Sequence, residues 1–153
     1  MPPNLRIRAA GAADLTAPAR LFRDLVPDDP ACPPLHGAGV LDRLAQWPGG
    51  AVLLAETDDA AVGTCTLLVL PNLTRGGRPY ALIENVVTRA DQRGRCIGKA
   101  LLDHACALAF AHDCYKVMLM TGSTDPATLG FYRAAGFEQT KTGFQRRALP
   151  PRA

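Results

Sequence analysis

The chain lacks the features that mark membrane, metal-binding and disulfide-stapled proteins. Its 153 residues contain no apolar run of transmembrane length and no apolar signal region at the N-terminus. The five cysteines form no C-x-x-C pair, and no spacing suggests a metal cluster. Scattered cysteines of this kind are typical of free thiols in a reducing compartment. We therefore expect a cytoplasmic protein with neither a metal nor a membrane partner.

Aromatic residues and surplus charge are also scarce. Aromatics make up 6% of the chain, and the net charge is only +3. Nucleic-acid binding usually requires a basic face or an aromatic platform, so we expect no nucleic-acid partner. The mild positive charge suits a small anionic ligand instead. The length favours a single domain over 1–153, with its core over about 5–149.

The most informative segment runs from Val86 to Leu102. An apolar strand passes into a loop of arginine and glycine, and the loop opens directly into an apolar-periodic helix. The first N–H groups of a helix have no intrahelical partner, and the helix dipole is positive there. The Walker and dinucleotide spacings are both absent. We predict a ligand that carries a diphosphate, bound by Arg93, Gly94, Arg95, Cys96, Ile97, Gly98 and Lys99.

Hydrophobic periodicity and turn residues predict the element order β-α-α-β-β-β-α-β-α-β-β. This order predicts an α/β (α+β) fold with a mixed, twisted sheet of about seven strands and helices on both faces. Asp14 and Asp125 are predicted helix caps. A second helix is predicted over 40–46. Residues 137–140 and 144–149 are predicted to form a final hairpin.

Two segments resemble the GNAT superfamily of acetyl-CoA-dependent N-acetyltransferases. Residues 93–98 resemble its R-G-x-G-x-G/A loop, with Cys96 in place of one glycine, and residues 129–137 resemble its F-Y-x-x-x-G-F segment. The element order is also that of a GNAT domain. The resemblance implies that acetyl-CoA is the co-substrate and that the primary amine of a small acceptor attacks it directly. It also implies a homodimer.

The resemblance implies roles for residues of the fourth strand. Glu84, the only acid in an apolar strand, is expected to be the general base, directly or through a water; the alternative is a salt-bridged glutamate at a strand end. Side-chain alternation is expected to place Leu82, Glu84 and Val86 on one face. The backbone of Val86 and Val87 is expected to face the pantetheine arm and the acetyl carbonyl, with one N–H as oxyanion donor.

Two further roles follow from the resemblance, and a third inference, on Cys96, goes beyond it. Tyr132 matches the family's tyrosine and is expected to protonate the coenzyme A thiolate; the alternative is an aromatic that packs the last helix. Thr128 stands where related enzymes often carry an asparagine that contacts the cofactor. Cys96 lies among cations at a helix start, which favours a reactive thiol; the alternative is an inert replacement for glycine.

The acceptor side is expected to be formed by loops 27–39 and 71–79. The second loop carries Arg75 and Arg78, which suit a phosphate, phosphonate or carboxylate, although solvated loop charges or dimer contacts explain them equally well. His36, in the first loop, is a further candidate for proton handling.

Within the superfamily, residues 83–87 and 114–117 resemble small bacterial enzymes and the glucosamine-6-phosphate N-acetyltransferases. Met120 or Thr121 stands where the sugar-phosphate enzymes carry an acid. Two other functions stay open. A protein or peptide N-acetyltransferase needs an open groove, which the proline-rich first loop disfavours. A non-catalytic acyl-CoA-binding sensor has no need of Glu84 and Tyr132.

Overall fold

The structure, a computed structural model, describes residues 2–58 and 60–149, so both ends of the predicted domain and Asp59 lie outside it. One unit of the chain ends at Leu119, and a second begins at Met120. The strands are β1 (Arg6–Ala9), β2 (Ala51–Thr57), β3 (Ala60–Leu70), β4 (Tyr80–Thr88) and β5 (Val117–Leu119). The helices are α1 (Thr16–Leu25), α2 (Pro34–Gln46), α3 (Ile97–Ala111) and α4 (Pro126–Ala134). No described helix is long and apolar enough to cross a membrane.

The first unit contains a mixed sheet in the order β1-β2-β3-β4-β5. The first four strands pair antiparallel with their neighbours, whereas β4 and β5 pair in parallel. A parallel pair needs a crossover connection, and α3 supplies it between β4 and β5. The predicted mixed sheet is therefore confirmed, and the β4–α3 junction lies at the carboxyl end of a parallel strand.

Helices cover both faces of this sheet, as predicted. One face carries a buried cluster in which α1 and α2 meet β2 and β4: Ala10, Leu21, Leu41, Val52, Leu54 and Val87. The neighbouring side chain of Leu54 along the strand, Ala55, points to the other face. There a Cβ built on Gly63 would lie 3.7 Å from the Ala55 Cβ and 3.5 Å from Ile97 of α3. The α1/α2 layer and α3 therefore lie on opposite faces of the sheet.

The predicted seven strands are wrong, because the described residues form five. Residues 137–149 contain no strand, and the expected hairpin over 137–140 and 144–149 is absent from the described part of the second unit. Phe144, which should anchor the hairpin, is 93% exposed. An isolated two-stranded hairpin is only marginally stable in water. Alternation of apolar and polar residues is therefore not enough to form a strand where the apolar side chains are not buried.

The predicted start of the second helix is also wrong. The helix begins at Pro34 rather than at Val40, so His36 lies in the first turn of α2 and not in a loop. Proline is well suited to the first helical position because its missing N–H needs no partner there. Gly37 is buried in this turn, where an added Cβ would come within 2.8 Å of Leu15. Gly37 thus fits this turn because it has no side chain to meet Leu15.

Of the two predicted helix caps, Asp125 is confirmed and Asp14 is wrong. Asp125 caps α4 as predicted, accepting hydrogen bonds from the backbone N–H of Ala127 at 3.2 Å and of Thr128 at 3.1 Å. These bonds and the Thr128 hydroxyl hold the pKa of Asp125 below its ordinary value. Asp14 does not cap α1. Its carboxylate accepts the N–H of Gly11 at 2.8 Å, inside a short 3₁₀ turn that precedes α1.

Asp14 instead belongs to a three-residue ionic network with Arg8 and Glu56. The Arg8 guanidinium donates two hydrogen bonds of 2.8 Å to Asp14 and two of 3.0 and 2.7 Å to Glu56. The hydrogen bonds from Arg8, with that from Gly11, lower the pKa of Asp14 from 3.8 to about 2. Bidentate arginine–carboxylate pairs are among the stronger ionic contacts. The network joins β1, β2 and the turn before α1.

We predict that Asp14→Asn lowers the free energy of unfolding by about 1–2 kcal/mol at pH 7, after allowance for solvent screening. The unfolded carboxyl takes up its proton near pH 3.8, whereas the folded one stays ionised to about pH 2. The stabilisation is therefore complete above pH 4 to 5 and is lost as the pH falls through 2. Urea unfolding at pH values from 7 to 2 measures this. Asp42→Asn, at an exposed position of α2, is the matched control. Equal pH slopes for the two variants would contradict the prediction.

Candidate active site

The first part of the candidate site is the junction between β4 and α3. A 3₁₀ turn over Ala90–Gln92 is followed by four exposed residues, and α3 begins at Ile97. The Ala100 N–H makes the first bond of the helix, to the Cys96 carbonyl at 3.0 Å. The N–H groups just before it have no intrahelical acceptor, and the Cys96 side chain caps none of them. The start of α3 is thus uncapped, and it follows directly on the exposed residues 93–96.

Two residues of this loop adopt left-handed backbone conformations. Gly94 has φ +75°, and Cys96 has φ +62° and ψ 11°. A left-handed residue with a Cβ costs roughly 1–2 kcal/mol, which glycine avoids. Cys96 therefore keeps the backbone conformation that a glycine would favour at this position. Its side chain is exposed and lies at the N-terminal end of α3.

The predicted cations of the loop are all exposed and held by neighbours. The Arg93 Nε donates to the Thr88 carbonyl at 3.3 Å, and Arg95 donates to the Gln92 side chain. Lys99 pairs with Asp103, one helical turn later, at 2.7 Å. Hydrogen bonds from Arg93 and Arg95 to neutral acceptors leave their full positive charge near the helix start. The structure therefore brings the predicted loop residues 93–99 together.

Sequence reasoning missed Arg89 and Gln92, which line a cleft of about 400 Å³ together with Arg95. Arg89 donates two hydrogen bonds to the Asp91 carboxylate, at 2.6 and 3.0 Å. Those bonds, aided by one from Gln92, lower the pKa of Asp91 to about 2. The sequence signal was present, since Arg89 directly follows the apolar strand and precedes the loop. Its charge is balanced by Asp91, so it adds a polar wall of the cleft rather than net positive charge.

The second part of the site is a bulge in β4. Thr66 of β3 pairs with Glu84 and Thr64 pairs with Val87, so two residues of β4 stand opposite one residue of β3. Asn85, in the bulge, has φ +54°. Such an insertion shifts the alternation of side chains by one position. The predicted face of Leu82, Glu84 and Val86 is therefore wrong: Val87, and not Val86, shares the face of Glu84.

The bulge coincides with the point where β4 parts from β5. The parallel pairing covers Ala81, Leu82 and Ile83 against Val117–Leu119 and ends there. Beyond Ile83, β4 pairs only with β3 among the described residues. Its other edge, from Glu84 to Thr88, presents backbone N–H and C=O groups that can bind an extended ligand. This open edge leads directly to the α3 loop.

Glu84 lies at the start of the open edge and is partly exposed. Its side chain forms no hydrogen bond or ion pair with any residue in the described part of the chain. The described residues therefore do not form the salt bridge that the alternative reading of Glu84 expected. By register its side chain shares a face with Val87, which packs in the α1/α2 cluster.

The other predicted residues of the chemistry lie on α4, in the second unit. Tyr132 is partly buried, and its ring lies 5.0 Å from that of Phe131 between centroids. Thr128 donates its hydroxyl to Asp125 at 3.0 Å. None of the residues of α4 is fully buried. Tyr132 therefore belongs to a helix whose side chains all keep some access to solvent.

The predicted acceptor residues fall into two places. Arg75 and Arg78 lie before β4 and line an open cleft of about 630 Å³ with Tyr115. His36 is exposed on α2, which packs against β2, two strands away from β4 in the sheet. The structure thus groups the two arginines and leaves His36 apart from them.

Comparisons with known proteins identify the family of this chain. The model of the Acetyltransferase (GNAT) family matches residues 19–137. A glucosamine 6-phosphate N-acetyltransferase from Trypanosoma brucei brucei is 32% identical over 138 residues, covering 88% of this chain and 89% of that protein. A solved structure from Agrobacterium tumefaciens str. C58, described as a candidate acetyltransferase, is 46% identical with a TM-score of 0.87, covering 93% of this chain and 99% of that one.

A more distant solved structure shares the fold. AAC(6')-Iy, solved in complex with a bisubstrate analogue that contains coenzyme A, is 19% identical with a TM-score of 0.79 and covers 95% of this chain and 99% of that one. The residues matched by the family model include the bulged strand, the α3 loop and α4. The chain belongs to the GNAT family of acetyltransferases and is an acetyl-CoA-dependent N-acetyltransferase.

Proposed function

We propose that the protein transfers the acetyl group of acetyl-CoA to the primary amine of a small, anionic acceptor by direct attack of the amine. The observation that carries this proposal is the open edge of β4. It starts at the Glu84 carboxylate, which has no partner among residues 2–58 and 60–149, and ends at the uncapped start of α3. One end of this edge suits the diphosphate of the cofactor. The other end offers a base for the amine.

The cofactor is proposed to bind in an extended form along this edge. Its diphosphate accepts hydrogen bonds from the first N–H groups of α3 and faces the cations of loop 93–99. The pantetheine arm pairs with the backbone near Val86 and Val87, as an added strand pairs with an exposed sheet edge. An N–H of the bulge then donates to the acetyl oxygen, where negative charge develops in the transition state.

The proton transfers are assigned to Glu84 and Tyr132. Glu84 takes a proton from the attacking ammonium or amine, directly or through a water, and its lack of an ion-pair partner among the described residues supports this role. When the tetrahedral intermediate collapses, the C–S bond breaks and coenzyme A leaves as a thiolate. Tyr132 is proposed to donate a proton to that thiolate, as the family resemblance of its segment implies.

The acceptor class is supported by the relatives. The relative from Trypanosoma brucei brucei is a glucosamine 6-phosphate N-acetyltransferase, which favours an amino sugar phosphate or a similar amine. Met120 and Thr121 supply no acid after β5, so details of acceptor binding differ from the sugar-phosphate enzymes. We further propose a cytoplasmic homodimer, for which the five free cysteines are consistent with a reducing compartment.

The function is tested with purified protein by isothermal titration with acetyl-CoA, followed by a free-thiol assay against small amines. The panel includes glucosamine 6-phosphate, glucosamine and aminoalkylphosphonates. Micromolar binding and turnover of an anionic amine are expected. Binding without turnover of any amine in the panel would replace the proposal with a protein N-acetyltransferase or an acyl-CoA sensor, which a peptide array and a thioester-cleavage assay separate.

We predict that Glu84→Gln lowers kcat on the order of 100-fold and leaves the KM for acetyl-CoA unchanged, since the amide cannot accept the proton but keeps the same shape. Glu138→Gln, at an exposed position of the second unit, is the matched control and retains full activity. Steady-state kinetics with the amine found above measures both. A fully active Glu84→Gln would remove the base role.

We predict that Tyr132→Phe lowers kcat by 10-fold or more, because the phenol proton is lost while the aromatic ring remains. The KM for acetyl-CoA and the urea midpoint of unfolding stay close to those of the native protein. If Tyr132 only packs the helix, kcat stays at the native value, because the ring is unchanged.

A further inference from the structure

Thr66 of β3 lies directly opposite Glu84 of β4 in the sheet. On its other side Thr66 pairs with Val52 of β2, which packs in the α1/α2 cluster. Directly opposed residues of an antiparallel pair place their side chains on the same face, with Cβ atoms about 4.5–5.5 Å apart. Thr66 therefore lies between a buried apolar side chain and the side chain of Glu84, on the face of the sheet that α1 and α2 cover.

The hydroxyl of Thr66 is nearly buried and has no hydrogen-bond partner among the residues that the structure describes. Thr64, two positions earlier on the same face, is also buried, but it donates its hydroxyl to the Leu53 carbonyl at 2.7 Å. Every fully buried side-chain oxygen or nitrogen in 2–58 and 60–149 has a partner. Because the Thr66 oxygen has none there, it must be one that solvent reaches.

Two polar side chains that lack partners within the described ranges thus face each other across neighbouring strands. A hydroxyl that is nearly buried and not bonded to protein is normally satisfied by water. A water that bridges two polar groups beyond direct hydrogen-bond distance is nearly as favourable as a direct bond. The Thr66 oxygen and the Glu84 carboxylate supply two of the two to four hydrogen bonds that such a water typically makes.

The surroundings of Thr66 confine such a water to the Glu84 side. Val52, on one side of Thr66, is 4% exposed and offers no polar atom in its side chain. Glu84, on the other side, is partly exposed and follows directly on Ile83, where the pairing of β4 with β5 ends. The water therefore has an apolar wall behind it and the open edge of β4, where the amine is proposed to bind, in front.

We propose that Thr66 is a positioning residue, which holds the water through which Glu84 takes a proton from the amine. The proposal rests on the base role proposed above for Glu84. The water donates one hydrogen to the Thr66 oxygen and the other to the Glu84 carboxylate, so a lone pair of its oxygen remains for the ammonium N–H. The water accepts that proton and passes the hydrogen on the carboxylate side to Glu84. The amine is left neutral for attack, and the water and Thr66 are unchanged.

Two substitutions of Thr66 test this role in steady-state kinetics with an amine that the enzyme acetylates. Thr66→Val keeps the shape without the hydroxyl and is expected to lower kcat about 10-fold at an unchanged KM for acetyl-CoA. Thr66→Ser keeps the hydroxyl and is expected to retain most of the native kcat. Thr64→Val, the matched control, removes the other buried hydroxyl of this face; it lowers the urea midpoint of unfolding but not kcat.

A double variant shows whether Thr66 acts through Glu84. Once Glu84→Gln has removed the base, adding Thr66→Val is expected to lower kcat no further. The proposal is overturned if the two losses multiply, if Thr66→Val keeps the native kcat, or if Thr66→Ser is as slow as Thr66→Val. In each of these cases an inactive Glu84→Gln still supports the base role. A fully active Glu84→Gln would instead remove the base role, and the role of Thr66 with it.

A high-resolution crystal structure of the native enzyme tests the water without any acceptor. Density is expected for a water within hydrogen-bond distance of both the Thr66 Oγ1 and a Glu84 carboxylate oxygen. The same water is expected in Thr66→Ser and not in Thr66→Val. A direct hydrogen bond between the two side chains, or a water that stays in place in Thr66→Val, would contradict the proposal. Because this result does not depend on acetyl transfer, it separates a failure of the Thr66 role from a failure of the proposed function.

Discussion

The pairing of β4 is the constraint on which the rest of the structure depends. This strand pairs with β3 along its length but with β5 over only three residues. The extra residue at the bulge bends the strand where the parallel pairing ends. Because the sheet is not closed there, backbone groups that a neighbouring strand would occupy are available to an extended ligand. The acetyl donor of the family is such a ligand.

Both ends of β4 are positively charged, for different reasons. At its carboxyl end the charge comes from loop arginines, from Lys99 and from the unpaired N–H groups at the start of α3. At its amino end it comes from side chains held against two tyrosine rings. Glu84 lies between them without a partner among the described residues. The strand thus sets the distances between two positively charged regions and one carboxylate.

Much of the loop chemistry was predictable because it depends on local sequence. The apolar strand, the arginine–glycine loop and the apolar helix follow one another directly in the sequence. Predicting the uncapped start of α3 therefore required no knowledge of long-range contacts. Cys96 illustrates the limit of such reasoning. The resemblance implied a glycine there, but only the backbone, at φ +62°, shows that the cysteine preserves the glycine conformation. The capping role of Asp125 was predictable for the same local reason.

The sequence by itself determined the mixed β and α order, the α3 loop and the candidate acid and base, because hydrophobic periodicity, turn residues and short motifs are local. The tertiary structure decided the features in which strand pairing and burial compete with local periodicity. It joined Asp14 to Arg8 and Glu56 instead of to a helix start, and its bulge placed Val87, not Val86, beside Glu84. It left 137–149 without strands, because alternation forms a strand only where a sheet or a core accepts its apolar side.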